Sequence, residues 1–243
     1  MHADFWIAVG QIIMIDILLG GDNAVVIALA CRKLPPALRI KGIIWGTAGA
    51  IVLRVILIFF ALTLLAIPYL KLVGAVLLLW IGVKLLAPDG DEHGDIQASD
   101  KLLAAVKTVI VADLVMSLDN VIAIAGAAEG AGGDHKMPLV IFGLLVSIPI
   151  IVWGSQIVIK LMDRFPMIIT IGAMLLGWIA GTMAVADPAV LSYVSTVAPA
   201  KAGALAEPTA LVRYSTGALG ALLVLALGAW AKRKKGGDDA ARA

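Results

Sequence analysis

"DILLGGDN", residues Asp16 to Asn23, and "DLVMSLDN", residues Asp113 to Asn120, are one pattern written twice: an aspartate, five residues, then Asp-Asn. The copies lie 97 positions apart. At an offset of 98, "PYLKLVGAVLLLWI" from Pro68 matches "PMIITIGAMLLGWI" from Pro166, pairing Gly74 with Gly172 and Trp80 with Trp178. The first motif is embedded in "IDILLGGDNAVVIALA", an apolar run that carries two aspartates, an asparagine and a glycine pair in its middle. Runs of about 20 apolar residues are long enough to cross a bilayer as helices. Seven are expected: Phe5 to Cys31, Gly42 to Ala66, Tyr69 to Ala87, Leu102 to Gly130, Pro138 to Ile159, Pro166 to Ala186 and Tyr214 to Ala231.

Composition agrees with that reading. Hydrophobic residues make up 61% of the chain and charged residues 15%, and the mean hydropathy is +1.02. So little polar surface cannot cover a soluble globule, which places the chain among integral membrane proteins. The runs are continuously apolar rather than alternating, which excludes the strands of an outer-membrane barrel. The expected fold is therefore all-α and polytopic, one transmembrane domain over residues 1–243. Residues 5–87 form one three-helix repeat, residues 102–186 a second, and residues 214–231 a seventh helix outside both. Each repeat holds an odd number of spans, so the second enters from the opposite side, the inverted-repeat design of many secondary transporters.

Orientation follows from the Lys and Arg residues. Arg32, Lys33, Arg39 and Lys41 follow the first span; Lys84, Lys101 and Lys107 surround the third loop; Lys160, Arg164 and the basic tail fall on that same side. The other side carries Lys71, Lys136, Lys201 and Arg213. Positive loops stay in the cytoplasm, so the amino terminus is expected outside and the carboxyl terminus inside. No Lys or Arg precedes the first span, and it is longer than the apolar region of a cleaved signal, so it is expected to remain in the mature chain. The tail "KRKK" reads as a headgroup anchor and not as a nucleic-acid site.

Four aspartates, Asp16, Asp22, Asp113 and Asp119, fall within spans, together with Arg54. A charge at the middle of a span costs on the order of 3 kcal/mol on insertion scales. One arginine cannot neutralise four carboxylates, which leaves a core that attracts cations or protons. Cys31 is the only cysteine, and His2, His93 and His135 lie in termini or loops, so a buried site must use oxygen ligands. Carboxylates, Asn carbonyls and exposed backbone oxygens suit hard divalent cations such as Ca²⁺, Mn²⁺ or Mg²⁺.

With the second repeat inverted, Asp16 falls level with Asp119, and Asp22 with Asp113. An outer layer of Asp16, Asp119 and Asn120 and an inner layer of Asp22, Asn23 and Asp113 are expected, about 10 Å apart along an unbroken helix. Gly20 and Gly21 offer a place to unwind the first helix and merge the layers, with Ser117 at the corresponding place in the fourth span. Arg54 has no cationic counterpart in the fifth span. It is expected either to act as a tethered counter-charge for an empty site or to brace Asp22 or Asp113.

"GGDNAVVIALA", Arg54 within "VLRVI", and "ADLVMSLDNVIAIAGAA" resemble the TerC family of integral membrane proteins, in particular its short YjbE-like branch. The resemblance covers nearly the whole chain. It implies a manganese or divalent-cation exporter of bacterial inner membranes, a multi-pass protein with no prosthetic group. Asp16, Asp22, Asn23, Asp113, Asp119 and Asn120 then map onto the family's acidic core. Gly20, Gly21, Arg54 and Ser117 support it. Mn²⁺ is the implied cargo, Ca²⁺ the alternative, and protons the expected counter-ion.

A rival class is catalysis, because paired transmembrane aspartates also occur in intramembrane aspartyl proteases. Gly20-Gly21-Asp22 matches that class only in part, and its tyrosine-aspartate partner motif is missing, so no enzyme is expected. An exporter of another solute is the stronger alternative. The loop "PDGDEHGDIQASD" from Pro88 to Asp100 resembles a calcium loop faintly and reads better as a solvated acidic linker. The segment from Asp187 to Arg213 reads as a short interfacial helix or a tether. Pro149 is expected to kink the fifth span, with Ser147, Ser155 and Gln156 beside a path.

Overall fold

A computed structural model describes residues 10, 13–14, 21–65, 67–87, 98–129, 136–194, 196–197 and 207–240, the side chains of 61–63, 65, 119, 121–140, 197 and 234–240 excepted. The apolar runs fold as helices: α1 (Gly21–Cys31), α2 (Pro36–Leu65), α3 (Leu70–Leu86), α4 (Ala98–Glu129), α5 (Lys136–Arg164), α6 (Met167–Val185), α7 (Pro188–Leu191) and α8 (Ala210–Ala240). Among the described residues, four segments are long and apolar enough to cross a membrane: Pro36–Phe60, Ile141–Arg164, Met167–Val185 and Ala210–Arg233. The third expected span is a helix of 17 residues. The fourth, as far as its described residues go, lies within α4, which also carries Asp100, Lys101, Lys107, Asp113 and Asp119.

The helices sort into two compact units that cut across the sequence repeats. Residues 1–65 and 96–165 form the first, residues 66–95 and 166–243 the second. In the first unit, α2 packs on α4 through glycines. A Cβ on Gly46 would stand 2.9 Å from a Val109 methyl, and one on Gly49 would meet Ile110. Further along, Arg54 of α2 reaches Asp113 of α4, so the two helices run parallel. At the other end Arg39, beside the Pro36 that opens α2, donates to Asp163 in the last turn of α5 at 3.0 Å. α2 and α5 are therefore antiparallel. α5 runs through Pro149 as one helix. Ser147 and Ser155 are buried on it and donate to the carbonyls of Gly143 and Ile151, one turn back.

In the second unit, α6 and α8 touch backbone to backbone. A Cβ on Gly177 would collide with the Gly220 carbonyl, one on Gly181 with the Thr216 carbonyl, and one on Gly220 with the Gly177 carbonyl. Small residues that admit such approach are the usual means of helix association in lipid, where apolar burial supplies no drive. Gly177 facing Gly220 and Gly181 facing Thr216 make the pair antiparallel. α3 joins them, with Gly82 against Ala173 and Val224, and Leu86 against Gly228.

Burial repeats with the sequence. Gly74, Ala75, Leu78, Gly82 and Leu85 are buried on α3, and the residues 98 positions on, Gly172, Ala173, Leu176, Ala180 and Met183, are buried on α6. Gly46, Thr47, Ala50 and Arg54 on α2 are matched 97 positions on by buried Gly143, Leu144, Ser147 and Ile151 on α5.

The segment after α6 begins with the one-turn α7, and Thr196–Val197 then pairs antiparallel with Glu207–Pro208. Among the described residues between α6 and α8, the helical part is the four residues of α7. Outward faces are apolar: Trp45, Val52 and Phe59 on α2, Trp153 on α5, Leu222 and Trp230 on α8 are exposed, whereas Arg54, Asp113 and Asn23 are buried. Apolar outer faces of this extent are those of helices that meet lipid or a partner and not water.

Candidate functional site

The polar seam of the first unit is set by helix register. Asp113 and Ser117 are four residues apart on α4 and therefore share a face. The parallel packing of α2 brings Arg54 against that face. Arg54 is 2% exposed and Asp113 5%. The Arg54 Nη2 donates to Asp113 Oδ1 at 2.6 Å, and its Nε donates to Ser117 Oγ at 3.0 Å. Ser117 Oγ in turn donates to Asp113 Oδ2 at 3.1 Å. Both oxygens of Asp113 are thus occupied by a closed ring of arginine, serine and aspartate.

Asp22 and Asn23 stand at the start of the described part of α1. Asp22 is half-buried and lies within electrostatic reach of both Asp113 and Arg54. Its Oδ1 is buried without a hydrogen-bond partner. Asn23 is 2% exposed, and neither its amide oxygen nor its amide nitrogen has a partner. Thr47, buried on the face of α2 that carries Arg54, also leaves its hydroxyl unpartnered. Leaving a buried polar group unsatisfied costs about 1–3 kcal/mol. A coordinated cation is the kind of group that would satisfy an aspartate oxygen and an asparagine carbonyl together.

The expected site residues are distributed as follows. Asp22, Arg54, Asp113 and Ser117 are drawn into one electrostatic neighbourhood, with Asn23 next to Asp22 in the chain. Asn120 is half-buried on α4 and engaged by a neighbour. Gly21 is helical, with open space where a Cβ would stand. Asp16, Gly20, the side chain of Asp119 and the acidic loop up to residue 97 lie outside the described residues. Among the described residues no three His, Cys, Asp or Glu side chains form a metal cluster. The seam there consists of two carboxylates, one guanidinium, and the side chains of Asn23, Thr47 and Ser117.

Sequence reading treated Asp187 only as the start of a loop. In the second unit it is fully buried. Its carboxylate accepts from the backbone N–H of Ala189 at 2.8 Å, capping α7, and from those of Tyr69 and Leu72 at 2.9 and 3.2 Å, capping α3. Tyr69, in left-handed conformation at φ 67°, precedes that first turn. Asp before Pro188 is a readable N-cap signal for α7. Its service to α3, more than a hundred residues earlier, is not readable.

Helices with apolar outer faces and a charged cluster sealed between them define a multi-helix integral membrane protein. The sequence profile described as "Integral membrane protein TerC family" matches residues 1–236, and the chain belongs to that family. It is 43% identical over 187 residues to "Uncharacterized membrane protein YjbE" of Bacillus subtilis (strain 168), covering 77% of this chain and 83% of the relative. It is 26% identical to "Uncharacterized membrane protein YceF" of the same organism over 74% and 71% of the two chains. A third relative, "UPF0053 inner membrane protein YgdQ" of Escherichia coli (strain K12), is 25% identical over 66% and 73%. No solved structure matches the chain.

Proposed function

We propose that the chain exports a hard divalent cation, Mn²⁺ first and Ca²⁺ as the alternative, across the bacterial inner membrane in exchange for protons, and that it is not an enzyme. The observation that carries this reading is the buried, unpartnered Asp22 Oδ1, within electrostatic reach of Asp113 and Arg54, with the unpartnered Asn23 amide next to it in the chain. Polar groups held unsatisfied in an apolar surround mark a place for a ligand. Their chemistry, oxygen donors with a net negative charge, selects a hard cation over Zn²⁺ or copper. Asp16 and Asp119 join the cargo path in this reading, with Asn120 as a further amide ligand. The cytoplasmic membrane fits a relative named as an inner membrane protein.

Seven spans related as inverted repeats belong to the same proposal. Its support is the shared burial register of α3 with α6 and of α2 with α5, and the helix directions, parallel for α2 with α4 and antiparallel for α2 with α5 and α6 with α8. A proteolytic aspartate dyad fits less well. Such a dyad keeps one carboxyl protonated against the other, whereas Asp113 is committed to an arginine.

The test is flux of Mn²⁺, Ca²⁺ and Mg²⁺ in proteoliposomes, with and without a pH gradient, beside a folded Asp119→Asn control. Flux of a divalent cation that is lost in the control supports export, and acceleration by the gradient supports proton exchange. No flux of any of the three from folded protein overturns the reading.

A further inference from the structure

We propose that Arg54 is a displaceable internal cation: its guanidinium holds Asp113 while the cargo site is empty and withdraws when a divalent cation binds there. This rests on the cation-transport reading above and assigns Arg54 a positioning role within it.

Three observations carry it. Arg54 donates to Asp113 Oδ1 directly and to Ser117 Oγ through its Nε, while Ser117 donates to the remaining oxygen, so both oxygens of Asp113 are already engaged in this state. Next, the position does not need a cation for packing. The buried stripe of Gly46, Thr47, Ala50 and Arg54 recurs 97 residues later as Gly143, Leu144, Ser147 and Ile151, and an isoleucine fills the equivalent place. A buried ion pair is weak as a stabilising device, and apolar replacements are often as stable. Finally, unpartnered polar atoms remain at Asp22, which lies within electrostatic reach of Asp113 and Arg54, at Asn23 next to it in the chain, and at Thr47 on the face of α2 that carries Arg54.

A divalent ion and a guanidinium cannot share one carboxylate without strong repulsion. Binding of one therefore favours release of the other, and occupancy by Arg54 lowers the apparent cargo affinity in proportion to the fraction of molecules it holds closed. The same competition opposes rebinding: once the ion leaves, Arg54 returns to Asp113.

The test is equilibrium Mn²⁺ binding to the purified full chain, followed by the EPR signal of free Mn²⁺, for wild type, Arg54→Gln and Ser117→Ala. The expected result is binding at least about five-fold tighter in Arg54→Gln, the lower end of usual site-to-site coupling, with faster Mn²⁺ association. A smaller gain is expected in Ser117→Ala, which loosens the guanidinium without removing it and keeps the test open if Arg54→Gln does not fold. Unchanged or weaker binding in a folded variant overturns the role of Arg54 and leaves the transport reading standing. Absence of binding by wild type to Mn²⁺, and to Ca²⁺ in competition with it, overturns both.

Discussion

The two units solve helix packing in opposite ways. In the second, α6 and α8 meet through Gly177, Gly181 and Gly220, with backbone pressed on backbone, and the Trp178 ring lies over Gly217. The contact is apolar, and α3 is locked to it by a buried aspartate that spends its oxygens on capping helices. In the first, the side chains of Val109 and Ile110 on α4 close over Gly46 and Gly49 of α2, and the contact then passes into an arginine, a serine and an aspartate. Glycine contacts suffice to join helices in lipid. The charged seam is therefore more than assembly requires, and in the proposed reading the unsatisfied groups of Asp22 and Asn23 serve the cargo.

The largest difference should appear on truncation. Asp113→Ala strands a buried guanidinium, and equilibrium unfolding in detergent should show a loss of about 3–5 kcal/mol. Gly177→Leu, which forces α6 from α8, should cost about 1–3 kcal/mol, the usual penalty of overpacking, and leave Mn²⁺ affinity as in wild type. If folded Gly177→Leu loses Mn²⁺ binding, the division between a functional seam and a packing seam fails.

A smaller effect of opposite sign sharpens the contrast. Asn23→Leu removes two buried polar atoms that have no partner, so stability should rise by about 1 kcal/mol while Mn²⁺ affinity falls. Paired measurements of unfolding and Mn²⁺ binding check this. A variant that is less stable and binds Mn²⁺ normally would make Asn23 a structural residue.

Much of this was legible in the sequence, for definite reasons. Helical runs announce themselves by length and apolarity, and the repeated Asp-Asn motif and the mid-span Arg54 stand out because lipid penalises them. Which acid Arg54 would meet was not legible, and Asp22 and Asp113 stayed open. The answer depends on the rotation and register of α2 against α4, fixed by Val109 and Ile110 over Gly46 and Gly49. Nor did the duplication show that α3 and α6 would pack together, apart from the helices that precede them in each copy. Sequence order records duplication, whereas packing follows matched small-residue faces. Asp187 was missed because a cap across more than a hundred residues leaves no local spacing to read.

The most direct measurement is the position of a bound ion: an experimental structure of the protein with Mn²⁺, located by its anomalous scattering. The expected result is a peak bounded by the carboxylate of Asp22 and the carbonyl of Asn23, with Arg54 drawn away from Asp113. A peak remote from these residues, or none at saturating Mn²⁺ in a well-ordered first unit, would contradict the assignment of this seam as the cargo site.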